Sequence, residues 1–328
     1  MKKKYMFMSI LLSFILAIGF MIPVQASSDD YSSHGRLHIS GNQLVDKNGN
    51  AVVLKGASTH GLSWYPKYVN YNSFKTLKSW GANTIRLAMY TSEYHGYCSG
   101  GSQKKLKALV CKGVSYAKKL GMYVIIDWHI LSDGNPNTHK KAARSFFKYM
   151  SSKYKNDGHV LYEICNEPNG NVSWAQVKSY AKYVIPTIHK KSPQSIIICG
   201  SPTWSQDVDK AAASPLPYKN VAYSLHYYAA THKEWLRNKI TTARNKGLCV
   251  MVTEYSITDS SGNGNVDLSS ANAWATYMKE NKMSYIQWSL CNKNESSALI
   301  KSSCNKLSGW DDNDLSETGK YLKQRLAS

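Results

Sequence analysis

Ile164-Cys165-Asn166-Glu167-Pro168 and Val252-Thr253-Glu254 are the stretches that decide the fold. Each sets a glutamate just past a short apolar run that reads as a buried strand. The two glutamates lie 87 positions apart, so only tertiary structure brings them together. A barrel of parallel strands does so, because its strand C-terminal ends converge on one rim.

Working outward from these stretches, the same pattern recurs. Strand-like runs are predicted at Val52–Gly56, Thr84–Met89, Tyr123–Trp128 and Val160–Cys165, then at Ser195–Cys199, Val221–His226, Cys249–Thr253 and Tyr285–Ser289. Helical patterns separate them: Tyr71–Trp80, Lys104–Leu120, Ala142–Tyr154, Trp174–His189, Asp207–Ala213, Lys233–Lys246, Ala271–Asn281 and Glu317–Leu326. Gly121 and Gly247 stand where a helix C-terminus favours positive φ. Eight strands alternating with eight helices indicate parallel βα units, and strands buried on both faces read as nearly continuous apolar runs. Closure into a single (β/α)8 TIM barrel is the natural solution for about 275 residues. An open doubly wound sheet needs a Gly-rich phosphate turn after its first strand, and Gly56-Ala57-Ser58-Thr59-His60-Gly61 is not one. Ahead of the barrel, Leu37–Ile39 and Gln43–Val45 predict a short N-terminal β-hairpin.

The N-terminus reads as a secretory signal. Lys2, Lys3 and Lys4 precede the apolar run Tyr5–Ile22, and Val24-Gln25-Ala26 suits a small-residue cleavage site. The expected organisation is a signal peptide over 1–26, a polar leader over 27–33 and one catalytic barrel over 34–328. The alternative, an uncleaved anchor, leaves the cleavage-like site unexplained. Removing the signal leaves 302 residues, destined for the extracellular side, and no later segment is apolar and long enough to span a bilayer. No stable membrane association is expected once the signal is gone.

The formal charge is +20, and subtracting the three signal lysines leaves +17. The lysines are scattered at the spacings of outward helix faces, as from Lys104 to Lys119 and at Lys140, Lys141, Lys178 and Lys182. No nucleic-acid motif accompanies them, so nucleic acid is not an expected partner. A solvated basic exterior is the simpler reading, and loose attraction to anionic cell walls is the alternative. Seven cysteines leave at least one unpaired. Cys98 and Cys111, and Cys291 and Cys304, are near enough in sequence to close loops, and spacing leaves their pairing open. Cys165, Cys199 and Cys249 sit in strand-like runs as buried apolar residues. No cysteine spacing suits zinc.

Polar residues collect at predicted strand ends: His60, Arg86 with Tyr90, Asp127-Trp128-His129, Asn166-Glu167, His226 with Tyr228, Glu254 and Trp288. Any one is weak evidence, but their recurrence at equivalent points marks the C-terminal face of a barrel enzyme. Glu163 shares a face with Glu167 by period-two counting and reads as a buried partner for an inward cation. Two facing carboxylates on such a rim are equipment for cleaving a glycosidic bond.

These residues resemble glycoside hydrolase family five, in particular its bacterial cellulase branch of secreted endo-β-1,4-glucanases. The resemblance runs from Leu54-Lys55-Gly56 and Ser58-Thr59-His60-Gly61-Leu62-Ser63-Trp64-Tyr65 through Arg86, Met89-Tyr90-Thr91-Ser92 and Asp127-Trp128-His129. It continues through Tyr162–Gly170, Thr203–Val208, His226-Tyr227-Tyr228 and Thr253-Glu254, and ends in Trp288-Ser289-Leu290 and Lys293–Ala298. It implies that Glu167 is the general acid/base and Glu254 the nucleophile. Arg86 and Tyr228 would hold Glu254 ionised and oriented. His129 and His226 would shape the site, and Asn166 would bond the 2-hydroxyl of the reacting sugar. Trp288 would lie under that sugar, with His60, Trp64, Tyr90, Trp204, Lys293 and Glu295 lining neighbouring subsites. Relatives commonly carry Trp-Gly after the nucleophile, whereas this chain has Tyr255-Ser256.

The chemistry stands without the resemblance. Protonating a leaving oxygen needs a carboxylic acid that keeps its proton, while the attacking carboxyl stays an anion. A retaining double displacement requires the two groups roughly 5–5.5 Å apart. Nine Trp and 23 Tyr include flat rings to cover sugar faces, with Trp64, Trp204 and Trp288 best placed. The expected protein is a monomeric, secreted, retaining endo-β-1,4-glucanase that takes a β-glucan polysaccharide and requires no metal or organic cofactor. The same chemistry on mixed-linkage glucan, xylan or mannan is the nearest alternative, and a non-catalytic carbohydrate-binding protein the next.

Overall fold

The computed structural model describes residues 30–327. The expected signal over 1–26 and the first part of the polar leader lie outside the described residues. The end of that leader is folded: Tyr31–His34 forms a helical turn, and Asp30 caps it by accepting the Ser32 and Ser33 N–H groups at 3.0 and 3.3 Å.

A two-stranded antiparallel hairpin follows, β1 (His38–Ser40) and β2 (Gln43–Val45). Eight parallel strands then close a barrel: β3 (Lys55–Thr59), β4 (Thr84–Tyr90), β5 (Tyr123–His129), β6 (Val160–Glu163), β7 (Ile197–Cys199), β8 (Val221–Tyr228), β9 (Val250–Ser256) and β10 (Tyr285–Leu290). β10 pairs with both β3 and β9, which shuts the ring. The molecule is therefore a (β/α)8 barrel behind a hairpin, as its sequence predicts. Helices start where sequence supplies caps: Asn70 before Tyr71–Ser79, Ser102 before Gln103–Lys119, Asp267 before Leu268–Glu280, and a Ser173/Gln176 capping box before Trp174–His189. No helix among the described residues is long and apolar enough to cross a membrane.

Among the described residues the core has two large parts, beside a small cluster of Ala88, Tyr90 and Trp288. Phe74, Leu77, Val110, Phe146, Val184, Ile240 and Trp274 belong to the larger one, between the strands and the helices. A smaller one fills the lower half of the barrel: Tyr123, Ile125, Leu161, Ile198, Ala222, Met251 and Ile286 meet there, joined by Leu37, Leu44, Val52 and Leu54 from the hairpin and the segment after it. The hairpin is thus the floor of the barrel. Arg244 fastens it, donating to the Asn42 carbonyl at 2.9 Å.

β9 carries the irregularity that matters most. Against β8, Ser224 pairs with Met251 and His226 with Glu254; against β10, Tyr285 pairs with Val252 and Gln287 with Tyr255. Both neighbours advance two residues while β9 advances three, so β9 holds one extra residue, a β-bulge. In a regular strand Thr253 and Glu254 would face opposite sides. Here both reach inward, Thr253 to Glu163 and Glu254 to Arg86.

The loop-closing cysteine pairs are not formed; all seven cysteines are thiols. Their sulfurs face separate partners: Cys291 meets Ser289 Oγ at 3.4 Å, and Cys304 donates to Asp314 Oδ1 at 3.4 Å. Cys165, Cys199 and Cys249 are buried, as their sequence context suggests.

Candidate active site

Arg86 of β4 is the hub of the upper barrel. Its Nε donates to Glu163 Oε2 at 2.6 Å, Nη1 to Glu254 Oε2 at 3.0 Å and to Ser58 Oγ at 3.3 Å, and Nη2 to Asn166 Oδ1 at 2.6 Å. Asp127 Oδ2 lies 3.1 Å from Nη2. The guanidinium is wholly buried; burial opposes its charge, and Asp127, Glu163 and Glu254 overcome that opposition and hold it protonated. Three carboxylates exceed what one cation neutralises. The difference appears at Asp127, where burial, reinforced by the charges of Glu163 and Glu254 against the pull of Arg86, drives the carboxyl well above its ordinary range. Glu163 is buried too, but Arg86 and His226 bring it down to about 2, so it remains an anion. The sequence reading of Glu163 as partner to an inward cation is borne out.

Proton positions around Arg86 follow from its own direction of donation. Arg86 fixes Asn166 Oδ1 as acceptor, so Asn166 Nδ2 is the donor to the Ile130 carbonyl at 3.0 Å and to His129 Nε2 at 3.2 Å. His129 therefore carries its hydrogen on Nδ1 and gives it to Asp127 Oδ2 at 2.7 Å. Burial, aided by Arg86, lowers His129 to about 4 and keeps it neutral at neutral pH. The expectation that Asn166 bonds a sugar hydroxyl meets a fully buried amide already committed to three protein partners; it lies beneath the cavity and does not line it.

Glu254 stands on β9, inside the strand rather than past its end. Beside the Arg86 bond, its Oε1 accepts the Tyr228 hydroxyl at 2.9 Å. Burial, with the charge of Glu254, pushes the Tyr228 phenol far up, which preserves it as a donor. Glu167 follows β6, and its Oε1 meets His226 Nδ1 at 2.9 Å. One carboxylate oxygen of Glu167 and one of Glu254 lie within 4.8 Å of each other.

A cavity of 550 Å³ opens above this layer. Tyr90, His129, Glu167, His226, Tyr228, Glu254 and Trp288 line it, as do His60, Lys293, Glu295 and Trp204. Trp288 lies on His129, rings 5.2 Å apart and 21° from parallel. Lys293 pairs with Glu295 at 2.6 Å. Trp64 is outside the wall, stacked on His60 at 5.6 Å and left 40% exposed. Trp204 is 46% exposed on a left-handed turn in which Thr203, Trp204 and Ser205 all have φ between 52° and 59°. Non-glycine residues pay for that conformation, so outside ties are needed. Trp204 N–H donates to the Pro168 carbonyl at 3.0 Å and Ser205 Oγ to the Asn166 carbonyl at 2.5 Å, tying the turn to the segment that carries Glu167.

Most predicted site residues therefore converge, with Arg86 and Asn166 below the cavity and Trp64 beside it. Sequence reading gave no role to Thr253, Gln206, His232 or Ser260–Gly262, and it placed Asp127 at a strand end without assigning it one. The partner of Asp127 was readable, since it shares a strand face with His129 two positions on. Thr253 was not, because the bulge overrides strand alternation.

Among the described residues, two groups bring metal-ligating atom types within 4.8 Å: Glu167, His226 and Glu254, and His60, Cys291 and Glu295. Neither is built as a metal site. Arg86 occupies Glu254, and Thr253 occupies the second nitrogen of His226. His60 Nδ1 accepts the Gly61 N–H at 2.8 Å, so the neutral ring has its hydrogen on Nε2, the atom facing Glu295. The Lys293 ammonium already sits on Glu295.

Comparison with known proteins agrees with this geometry. The family described as cellulase (glycosyl hydrolase family 5) matches residues 45–294. An endoglucanase of Clostridium saccharobutylicum is 46% identical over 99% of this chain and 74% of its own length. Endoglucanase A of Butyrivibrio fibrisolvens is 44% identical over 90% of this chain and 69% of its own. Among solved structures, the catalytic domain of Thermobifida fusca endoglucanase Cel5A, in complex with cellotetraose, superposes with a TM-score of 0.86 at 33% identity, covering 91% of this chain and 99% of that one.

Proposed function

Because the chain belongs to the cellulase family, glycosyl hydrolase family 5, we propose that it cleaves internal β-1,4-glucosidic bonds of cellulose chains with retention of configuration. The observation that carries this reading is the separation of less than 4.8 Å between oxygens of Glu167 and Glu254. Inverting enzymes hold their carboxyl groups about 6.5–9.5 Å apart to admit a water between them, and retaining ones about 5–5.5 Å.

Glu254, oriented by Arg86 and Tyr228, attacks the anomeric carbon as the glycosidic bond breaks, and Glu167 gives its proton to the departing oxygen. Glu167, now ionised, takes a proton from water, whose oxygen attacks the same carbon and releases Glu254. Trp288 offers a flat apolar face to the sugar, and Lys293 and Glu295 offer charged partners to neighbouring hydroxyls. Glu167 supplies the proton of the first step and water that of the second, while Arg86 and Tyr228 hold Glu254 in place. Export of a mature, monomeric enzyme belongs to the same proposal; N-terminal sequencing of the secreted protein, expected to begin at Ser27, tests the export.

Two measurements test the chemistry. Soluble cellulose derivative should lose viscosity faster than it gains reducing ends, and initial rates should be higher on it than on xylan or mannan. Proton NMR of the first product should show the β-anomer before mutarotation. A first-formed α-anomer would overturn retention, and a faster rate on xylan or mannan would reassign the substrate.

A further inference from the structure

Glu167 must hold a proton when the glycosidic bond breaks, so the group hydrogen-bonded to it bears on whether that proton is kept. His226 Nδ1 is 2.9 Å from Glu167 Oε1, and the state of that nitrogen depends on what happens at the other end of the ring. There Nε2 lies 3.0 Å from Thr253 Oγ1. Thr253 has one hydroxyl hydrogen, and Glu163 Oε1 lies 2.6 Å from it. Glu163 is an ionised carboxylate held by Arg86, so it only accepts, and the threonine hydrogen goes to it. Thr253 Oγ1 therefore offers only a lone pair to His226, and Nε2 must carry the ring's hydrogen.

We propose that Thr253 is a positioning residue that locks His226 with its hydrogen on Nε2, so that Nδ1 stays open to receive and return the proton of Glu167. This rests on Glu167 acting as general acid. One mobile proton then belongs to the Glu167–His226 pair: on Glu167 it makes the acid, on Nδ1 it makes an imidazolium beside a carboxylate. The chain continues from Thr253 through Glu163 and Arg86 to Glu254, so one unbroken series of buried hydrogen bonds links the two catalytic carboxylates.

The surroundings suit a histidine that readily takes a second proton. Titratable and charged groups surround His226 on several elements: Glu163 on β6 and Glu167 after it, Glu254 on β9, and Asp127 on β5, with Arg86 of β4 behind Glu163. Burial opposes protonation of His226, but the bonds to Glu163 and Glu167 and the charge of Glu254 outweigh it and raise the ring to about 9.

Without the Thr253 oxygen, neutral His226 gains by moving its hydrogen to Nδ1. It would then donate to Glu167 and favour the carboxylate, which cannot protonate a leaving group. The test compares Thr253→Val, Thr253→Ala and Thr253→Ser with the parent on two substrates, cellopentaose and 2,4-dinitrophenyl β-cellobioside, whose leaving group needs no proton. Valine and alanine should each lower kcat/KM on cellopentaose about tenfold or more, within the range general acid catalysis supplies, and barely alter it on the activated glycoside. The alkaline limb of the cellopentaose profile should move to lower pH, and serine should restore both properties. Equal losses on both substrates, or an unmoved alkaline limb in whichever of the two variants keeps the parent's circular dichroism, would overturn the proposal. A parent enzyme inactive on both substrates would instead overturn the assigned function.

Discussion

The lower and upper halves of the barrel interior are built from the same strands and behave oppositely. β5 points Tyr123 and Ile125 into the floor and Asp127 and His129 into the site; β9 gives Met251 to one and Thr253 and Glu254 to the other. The floor is apolar and lidded by the hairpin, so burial there favours folding directly. The upper layer buries the Arg86 guanidinium, the carboxyl groups of Asp127, Glu163, Glu167 and Glu254, and the His129 and His226 rings, which is unfavourable unless nearly every polar atom is partnered. Asp127 Oδ1 has no partner even so. Stability resides in one half and reactivity in the other, a few residues apart on each strand.

The largest test of that division is loss of chemistry without loss of fold. Glu254→Ala and Glu167→Ala should each lower turnover of soluble cellulose derivative by about a thousandfold or more while the circular dichroism spectrum is kept. Parent-like activity in either variant would end the assignment. Arg86→Lys should damage both halves' balance, because an ammonium cannot reproduce the guanidinium fork. It leaves buried carboxylates unpaired, and urea denaturation should show a loss of about 3–5 kcal/mol together with a steep fall in kcat. Ile125→Ala is the converse probe. It should cost about 2–5 kcal/mol in the same titration and leave kcat/KM near the parent value; a collapse of activity in the surviving folded fraction would show that the halves are not separable.

The smallest effect is in pH. Burial lowers His129 to about 4 and His60 to about 3, well under the 6.5 of an unfolded chain. Below 6.5 the unfolded state binds protons that the native rings refuse, so their contribution, complete above 6.5, is lost as pH falls through about 4. His226, raised to about 9, works in reverse: its contribution is complete below 6.5 and lost as pH rises through 9. Thermal melts from pH 4 to 9.5 should show decline at both ends, and a His129→Gln variant should flatten the acid side alone.

The element order and the carboxylate pair were legible in sequence because they rest on periodic burial and on local motifs. Boundaries were less so. The first barrel strand is predicted at Val52–Gly56 and observed at Lys55–Thr59, because Val52 and Leu54 are apolar for a different reason: they pack into the floor. Glu254 is predicted past its strand but lies within it, since alternation cannot foresee a bulge. Asn166 is a site residue by motif, yet its amide serves Arg86 and His129 below the cavity. Trp204 was found from its position, whereas the left-handed turn that presents it has no glycine to announce it.

The extra residue in β9 also limits how this machinery can be transplanted. A designer copying Glu167, Glu254 and Arg86 onto an idealised barrel with uniform strands would leave no room for Thr253 beside Glu254 on the inner face. The graft would reproduce the reacting pair and omit the wiring between them, so the offset in strand register must travel with the side chains.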